Sequence, residues 1–224
     1  FVNNVLYNWG NGGAYIMGDT QQKSDADIRN NYFIVGTTDN YDGKKLGATA
    51  PFTRYNEHFS AYLSGNFYDD NKDGSLNGRE LGRADCMKKS VAAGEEIITS
   101  PTFLERPSDV HPEIKELMTA QEAYEWIVAN GGSSLPVRDE VDAYLIDELT
   151  SLGKKGLIIH SEEDIPTKGP GNIKSAEAPV DTDNDGMPDE FEDKYGLDKN
   201  DPADAMKVAS NGYTNIENYI FLIK

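Results

Sequence analysis

The chain has 224 residues, with 21 Lys and Arg against 39 Asp and Glu, so its formal net charge at pH 7 is −18. This acidity excludes a general nucleic-acid binder, because contacts to phosphates need an excess of basic side chains. Hydrophobic residues make up 38% of the sequence, enough to bury a core, and no apolar run is long enough to span a membrane. The single cysteine, Cys86, cannot form an internal disulfide, which fits a cytosolic or an exported protein equally well.

The first 70 residues contain a weak repeat in which an asparagine marks a bend beside short β-rich runs. The asparagines are Asn4, Asn31 and Asn66, which are 27 and 35 residues apart. A period of this size without intervening helices suits a parallel β-helix, in which each coil stacks on the next. Stacked asparagine side chains can then hydrogen-bond to one another. A meander whose turns use asparagine is the alternative, and the repeat alone leaves both open.

Two helices are predicted in the middle of the chain. Thr119 and Glu122 form a capping box at the start of the first helix, and Gly131 is placed to end it. The second helix is predicted after Pro136. Its apolar face consists of Val141, Leu145 and Leu149. Arg138, Asp139 and Asp142 suggest either a catalytic group or a helix cap with a local ion pair, and the cap is favoured.

A linker and an acidic tail follow the helices. Periodicity disappears over residues 166–180, which are rich in Gly, Pro and Ala. The sequence therefore divides into a main part (1–165), a linker (166–180) and a small appendage (181–224). Residues 181–204 carry ten acidic and two basic side chains. Such a concentration of charge requires either exposure to solvent or a bound cation.

Residues 181–192 fit the twelve-residue calcium-loop pattern at every ligand position. The predicted ligands are Asp181, Asp183, Asp185, the carbonyl of Met187, Asp189 (directly or through water) and Glu192. Gly186 provides the sharp turn. The positive charge of Ca²⁺ would offset the repulsion between three aspartates at alternate positions. Because a Pro-containing linker precedes the loop, the expected site is a loop with one following helix. A solvated acidic loop is the alternative.

Two further segments resemble such loops, the first at every position of the pattern and the second only in its second half. The first, which follows a predicted strand, contributes Asp69, Asn71, Asp73, Asn77 and Glu80, and these residues fit either a second calcium site or a tight Asx-rich turn. The second spans residues 207–218 and has lost most carboxylates from its first half. It is expected to lead into a final helix that packs on the helix after the main loop, without a second metal.

Three segments resemble the bacterial pectate lyases of polysaccharide lyase family 1, namely residues 2–10, 63–67 and 120–142. The tail resembles the EF-hand-like or dockerin-like calcium appendages of secreted bacterial polysaccharide-degrading enzymes. The resemblance implies a mainly β fold, the C-terminal part of a right-handed parallel β-helix with a few packed helices and a calcium-loop tail. It also implies calcium-assisted β-elimination on polygalacturonate, an acidic plant polysaccharide, by a bacterial protein that is secreted, periplasmic or at the cell surface.

The sequence departs from this family at the catalytic centre. The family's catalytic arginine lies in an Arg-x-Pro-x-x-Arg segment upstream of the Asn-Asn-Val-x-Tyr strand, and these 224 residues contain no such segment. The pair Arg106-Pro107 stands in a different context and does not replace it. The resemblance therefore implies no catalytic residue in this chain, and we expect a missing N-terminal fragment to be its partner. The alternative is a non-catalytic calcium-binding solenoid that attaches to glycan or protein partners.

Overall fold

The structure is a computed structural model and describes residues 1–10, 13–18, 20–38, 40–41, 44–45, 50–134, 137–174 and 177–222. The strands within these ranges are β1 (Val5–Tyr7), β2 (Gly13–Ile16), β3 (Ser24–Arg29), β4 (Tyr32–Ile34), β5 (Asn40–Tyr41), β6 (Lys44–Lys45), β7 (Ala50–Thr53), β8 (Phe59–Ser64), β9 (Phe67–Asp69), β10 (Arg79–Glu80), β11 (Lys88–Ala92), β12 (Glu95–Thr99) and β13 (Thr102–Phe103). The helices are α1 (Ala120–Asn130), α2 (Glu140–Thr150), α3 (Asp189–Tyr195) and α4 (Asn215–Leu222). None of these helices is long and apolar enough to cross a membrane.

The chain visits three separate sheets in a fixed order and adds a parallel strand to each on successive passes. Sheet 1 contains β1, β4 and β9, sheet 2 contains β2 and β7, and sheet 3 contains β3, β8 and β13. The remaining pairs are antiparallel: β10 closes one edge of sheet 1, while β5–β6 and β11–β12 form separate ribbons. The described residues therefore form mixed sheets with packed helices.

The register of sheet 1 confirms the repeat seen in the sequence. Val5 pairs with Tyr32, and Tyr32 pairs with Phe67, so that each strand is displaced from the next by the same 27 and 35 residues as the asparagines. This parallel pairing is the arrangement expected of stacked passes, and it is not the arrangement of a meander, whose consecutive strands run antiparallel.

The three asparagines stack at the bend that leads into sheet 1. The Asn4 amide donates to Asn31 Oδ1 at 3.0 Å, and the Asn31 amide donates to Asn66 Oδ1 at 2.8 Å. Asn31 and Asn66 are almost completely buried. The predicted hydrogen bonding between stacked asparagines is thus confirmed, and it satisfies polar groups that the bend would otherwise bury unpaired.

The residue before each of these asparagines has a left-handed backbone. The φ angle is 55° at Asn3, 53° at Asn30 and 62° at Gly65. Asparagine and glycine are the residue types that adopt this region most readily, which explains the recurring Asn-Asn, Asn-Asn and Gly-Asn pairs. The second and third pairs turn the chain from sheet 3 into sheet 1 within two residues.

Strand β4 shows how the core is divided. Phe33 faces an interior cluster that includes Ile28, Phe52 and Ala61, whereas Tyr32 and Ile34 face a second cluster that contains residues of α1 and α2. All three residues of β4 are buried, because both faces of sheet 1 are covered. The helices therefore form a layer on the outer face of this sheet.

The capping residues of α1 and α2 lie where the sequence predicts them. The Thr119 N–H donates to the Glu122 carboxylate at 2.8 Å, and Gly131 follows the last residue of α1. Asp139 caps α2 by accepting from the Asp142 N–H at 2.8 Å, which fits the cap interpretation of this acidic pair. The predicted apolar face of α2 is wrong at one position, because Leu145 is 43% exposed.

A polar residue occupies the buried position next to Leu149 on α2. Glu148 is 7% exposed, and its carboxylate accepts a hydrogen bond from the Tyr144 hydroxyl. Because this bond satisfies the carboxylate, an acidic side chain can occupy a buried position on the helix.

The chain divides into two compact units, a larger one (1–134 with 138–171) and a smaller one that lies mainly within residues 172–224. Both core clusters described above belong to the larger unit. In the smaller unit, α4 packs on α3 through the rings of Phe191 and Tyr219, whose centroids are 5.0 Å apart. The predicted packing of the final helix on the helix after the main loop is therefore confirmed.

Candidate metal centre

Three aspartates of the acidic loop converge on one point. Asp181, Asp183 and Asp185 can each place a carboxylate oxygen within 4.8 Å of the others. The loop backbone holds them there: the N–H groups of Asn184 and Gly186 donate to Asp181 at 2.8 and 3.0 Å. Like charges held this close repel one another unless a cation lies between them.

Gly186 is required where the loop turns. Its φ angle is 96°, and a Cβ at this position would lie 3.2 Å from Ile216 Cδ1. A side chain would therefore face both backbone strain and a close approach to α4. The glycine that the calcium-loop pattern predicts at this position has a clear steric reason.

Glu192 is a completely buried carboxylate. Its side chain is 0% exposed, and neither of its oxygens has a hydrogen-bond partner among the described residues. Burial raises the pKa of this carboxyl, the charges of Asp185 and Asp183 add to this effect, and together these causes bring the pKa to about 7. An anionic group buried without a donor costs several kcal/mol, and a coordinated cation compensates this cost.

A residue outside the loop joins the same group. Asp204 is 3% exposed, and it can place an oxygen within 4.8 Å of those of Asp185 and Glu192. The buried oxygens without a hydrogen-bond partner in the described part of this unit are Asp183 Oδ2, Asp185 Oδ2, both oxygens of Glu192 and Asp204 Oδ1. All are carboxylate oxygens, the ligands that Ca²⁺ prefers.

The structure separates the predicted ligands into two sets. Asp181, Asp183, Asp185 and Glu192 belong to the converging groups, whereas Asp189 does not. The Asp189 carboxylate instead accepts from the Thr182 N–H and hydroxyl, both at 2.8 Å, and these bonds lower its pKa. Asp189 therefore closes the loop, and we do not assign it as a direct ligand.

Met187 contributes to the centre through its backbone and its burial. Its N–H donates to Asp185 Oδ1 at 2.7 Å, and its side chain is 0% exposed. Met187 is the seventh residue of the loop, so the burial of its side chain fixes the middle of the loop. The expected role of its carbonyl as a ligand stays a prediction.

Sequence reasoning missed Asp204. The residue lies 12 positions after the end of the twelve-residue loop, and no spacing rule of that loop reaches so far. The only available signal was the surplus of acidic residues that continues to position 204. That surplus also includes Asp193 and Asp201, which form exposed ion pairs with lysines, so charge alone could not single out Asp204.

The second calcium-like segment has a different arrangement. Asp73 accepts from the Ser75 N–H at 2.7 Å and from the side-chain amide of Asn77 at 2.9 Å. The amide oxygen of Asn77 in turn accepts from the side-chain amide of Asn71 at 2.6 Å. Asp69 is buried, and it accepts from the Asn77 N–H at 3.2 Å. These contacts are those of an Asx-rich turn.

Glu80, the last position of that pattern, is exposed in β10 and pairs with Phe67 across the sheet. None of the five residues belongs to a group of three or more carboxylates, histidines or cysteines close enough to share an ion in the described part of the chain. Their contacts give the calcium interpretation of this segment no added support.

The chain is similar to curated fungal proteins named "Probable pectate lyase C". The protein from Aspergillus terreus is 40% identical over 217 residues, which cover 97% of this chain and 46% of that protein. The Emericella nidulans protein is 40% identical over 218 residues (97% and 45%), and the Aspergillus oryzae protein is 37% identical over 217 residues (97% and 46%).

The chain thus spans about half the length of the curated relatives it matches. No family model matches it. No solved structure matches it either. These relatives are fungal, so they give no support to the bacterial source expected from the sequence.

Proposed function

We propose that this chain is part of a secreted pectate lyase. The similarity that supports this function covers 97% of the chain at about 40% identity to proteins named as pectate lyases. It agrees with the independent resemblance of residues 2–10, 63–67 and 120–142 to polysaccharide lyase family 1. The proposed substrate is polygalacturonate, which the whole protein would cleave by calcium-assisted β-elimination.

The proposed fold of the larger unit is the C-terminal part of a right-handed parallel β-helix. Support comes from the fixed order in which the chain visits its three sheets and from the parallel pairing of each pass with the next. The asparagine stack at the bend lies where such coils would meet. Residues 166–180 would then link this unit to the calcium-binding appendage.

The proposed catalytic centre lies in a part of the protein outside these 224 residues. The arginine segment that the resemblance requires does not occur in the sequence, and the chain spans about half of its relatives. Calcium at that centre would bridge the substrate carboxylate and acidify the neighbouring carbon. This chain would contribute the coils that support the centre.

The proposed role of the acidic loop is to bind one structural Ca²⁺. The observation that carries this role is Glu192, a completely buried carboxylate whose two oxygens lack any partner in the described residues. Asp181, Asp183 and Asp185 provide further hard oxygen ligands. The ion would hold the smaller unit together, and its site is separate from the calcium of the lyase reaction.

The lyase function is tested by comparing the whole natural protein with the 224-residue chain on polygalacturonate in the presence of calcium. We expect the whole protein to release unsaturated oligosaccharides, detected by their ultraviolet absorbance, and the chain alone to release none above a protein-free control. Robust turnover by the chain alone would show that the catalytic residues lie within it.

The same comparison tests the alternative function. If the whole protein releases no unsaturated product although it binds polygalacturonate, then the lyase assignment is wrong and a calcium-stabilised attachment module is favoured. The absence of the arginine segment from this chain is the observation that keeps this alternative open.

A further inference from the structure

Asp204 lies in a turn that follows α3 and precedes α4. One of its oxygens, Oδ2, accepts from the Asp198 N–H at 2.8 Å, and this bond shapes the turn. The other oxygen, Oδ1, is buried without a partner among the described residues. A residue that served only to cap the turn would not need to bury a second, unpaired oxygen.

The surroundings of Asp204 are acidic. Its oxygens approach those of Asp185 and Glu192, and its charge raises the pKa of both Glu192 and Asp183. The lysines closest along the chain bind other partners: Lys199 pairs with Asp193 at 2.8 Å and Lys207 pairs with Asp201 at 2.9 Å. The carboxylate of Asp204 therefore faces other carboxylates where a cation would balance it.

We propose that Asp204 is a ligand of the same Ca²⁺ as the acidic loop, an inference that rests on the calcium-binding role proposed above. Asp185 belongs to both groups of converging carboxylates, so one ion in contact with Asp185 lies within reach of the loop on one side and of Glu192 and Asp204 on the other. The ion thereby joins three segments of the smaller unit: the loop, α3 and the turn.

The turn that carries Asp204 also holds the start of α4. The Asp204 carbonyl accepts from the Asn215 amide at 2.8 Å, and the Ala205 carbonyl accepts from the Ile216 N–H at 3.1 Å. A calcium ion bound by Asp204 would therefore fix α4 as well as α3. Calcium then controls the folding of the whole smaller unit, well beyond the twelve-residue loop.

The test uses the 224-residue chain with the substitution Asp204→Asn. Asparagine keeps an oxygen that can accept from the Asp198 N–H, but it removes the negative charge and one carboxylate oxygen. Calorimetric titration should show a Kd for calcium that is weaker by roughly tenfold to a hundredfold. The matched control is Asp201→Asn in the same turn, where the carboxylate is exposed and paired with Lys207. Its Kd should change by less than about threefold.

Thermal unfolding with and without a chelator separates a ligand from a purely structural residue. If Asp204 is a ligand, the substitution Asp204→Asn should lower the unfolding temperature of the smaller unit in the presence of calcium. In chelator the substitution should leave the unfolding temperature unchanged or raise it, because it removes one of the negative charges that repel one another. Equal destabilisation under both conditions, or an unchanged Kd, would overturn the proposal. If Asp185→Ala, which removes the shared ligand altogether, also leaves the number of bound ions unchanged, then the loop itself binds no calcium and the underlying function fails instead.

Discussion

Removal of calcium should lower the free energy of unfolding of the smaller unit and leave that of the larger unit unchanged. Without the ion, Asp181, Asp183, Asp185, Glu192 and Asp204 form two crowded groups of carboxylates that share Asp185, and four of the five have a buried oxygen without a hydrogen-bond partner among the described residues. An ion present at about 100 times its Kd adds about 2.7 kcal/mol to the free energy of unfolding. That is a large share of the stability of a unit this small.

Hydrogen exchange measured by mass spectrometry after addition of a chelator provides the readout. The amides of Leu197 and Ile216, which bind the carbonyls of Glu192 and Ala205, should lose their protection. The amides of Asn8 and Phe67, which bind the carbonyls of Ile34 and Asn31 between strands of the larger unit, serve as an internal control and should keep theirs. Unchanged protection at Leu197 and Ile216 would contradict a calcium-dependent fold.

The substitution Asn31→Ala should lower the free energy of unfolding of the larger unit by about 3–5 kcal/mol. The Asn31 side chain accepts from the backbone N–H and the amide of Asn4 at 2.9 and 3.0 Å. It donates to Asn66 Oδ1 at 2.8 Å and to the Phe1 carbonyl at 3.1 Å. Alanine removes these bonds and leaves several buried polar groups without partners.

Urea unfolding followed by circular dichroism measures this loss, with Asn130→Ala as the matched control. Asn130 is an exposed residue at the end of α1 whose amide donates to the Trp126 carbonyl at 2.9 Å. Its replacement should change the free energy of unfolding by less than about 0.5 kcal/mol. If Asn31→Ala is no more destabilising than this control, then the asparagine stack does not stabilise the bend.

Local patterns predicted the parts of the fold that depend on local physics. The spacing of Asn4, Asn31 and Asn66 matches the strand register because each bend needs the same left-handed residue followed by an asparagine. The capping residues of α1 lie where expected because caps satisfy backbone groups within one turn. Such features need no information from distant parts of the chain.

Three features that leave no periodic or spacing signal in the sequence were not predicted. The hairpin of β11 and β12 is exposed throughout most of its length, so burial leaves no alternating pattern from which to recognise it. The spacing rule placed Leu145 in the core, but Leu145 is exposed. Glu148 is buried on the same helix, and Tyr144 supplies its hydrogen bond. Asp204 joins the metal centre through the fold of the turn, which the loop pattern does not encode.

The structure also explains why some predicted ligands converge on the centre and Asp189 does not. Asp181, Asp183 and Asp185 converge because the loop backbone donates to them locally. Asp189 satisfies the same pattern, but its carboxylate binds Thr182. A sequence pattern therefore identifies the candidate centre, while the fold decides which of its carboxylates converge closely enough to share an ion.

Calorimetric titration of calcium into the natural chain and into Asp185→Ala tests the metal centre most directly, because Asp185 belongs to both groups of converging carboxylates. Asp193→Ala is the matched control, since Asp193 lies on α3 with an exposed side chain that pairs with Lys199. We expect the natural chain and the control to bind one more calcium ion than Asp185→Ala. Equal numbers of bound ions in all three proteins would contradict the assignment of this centre.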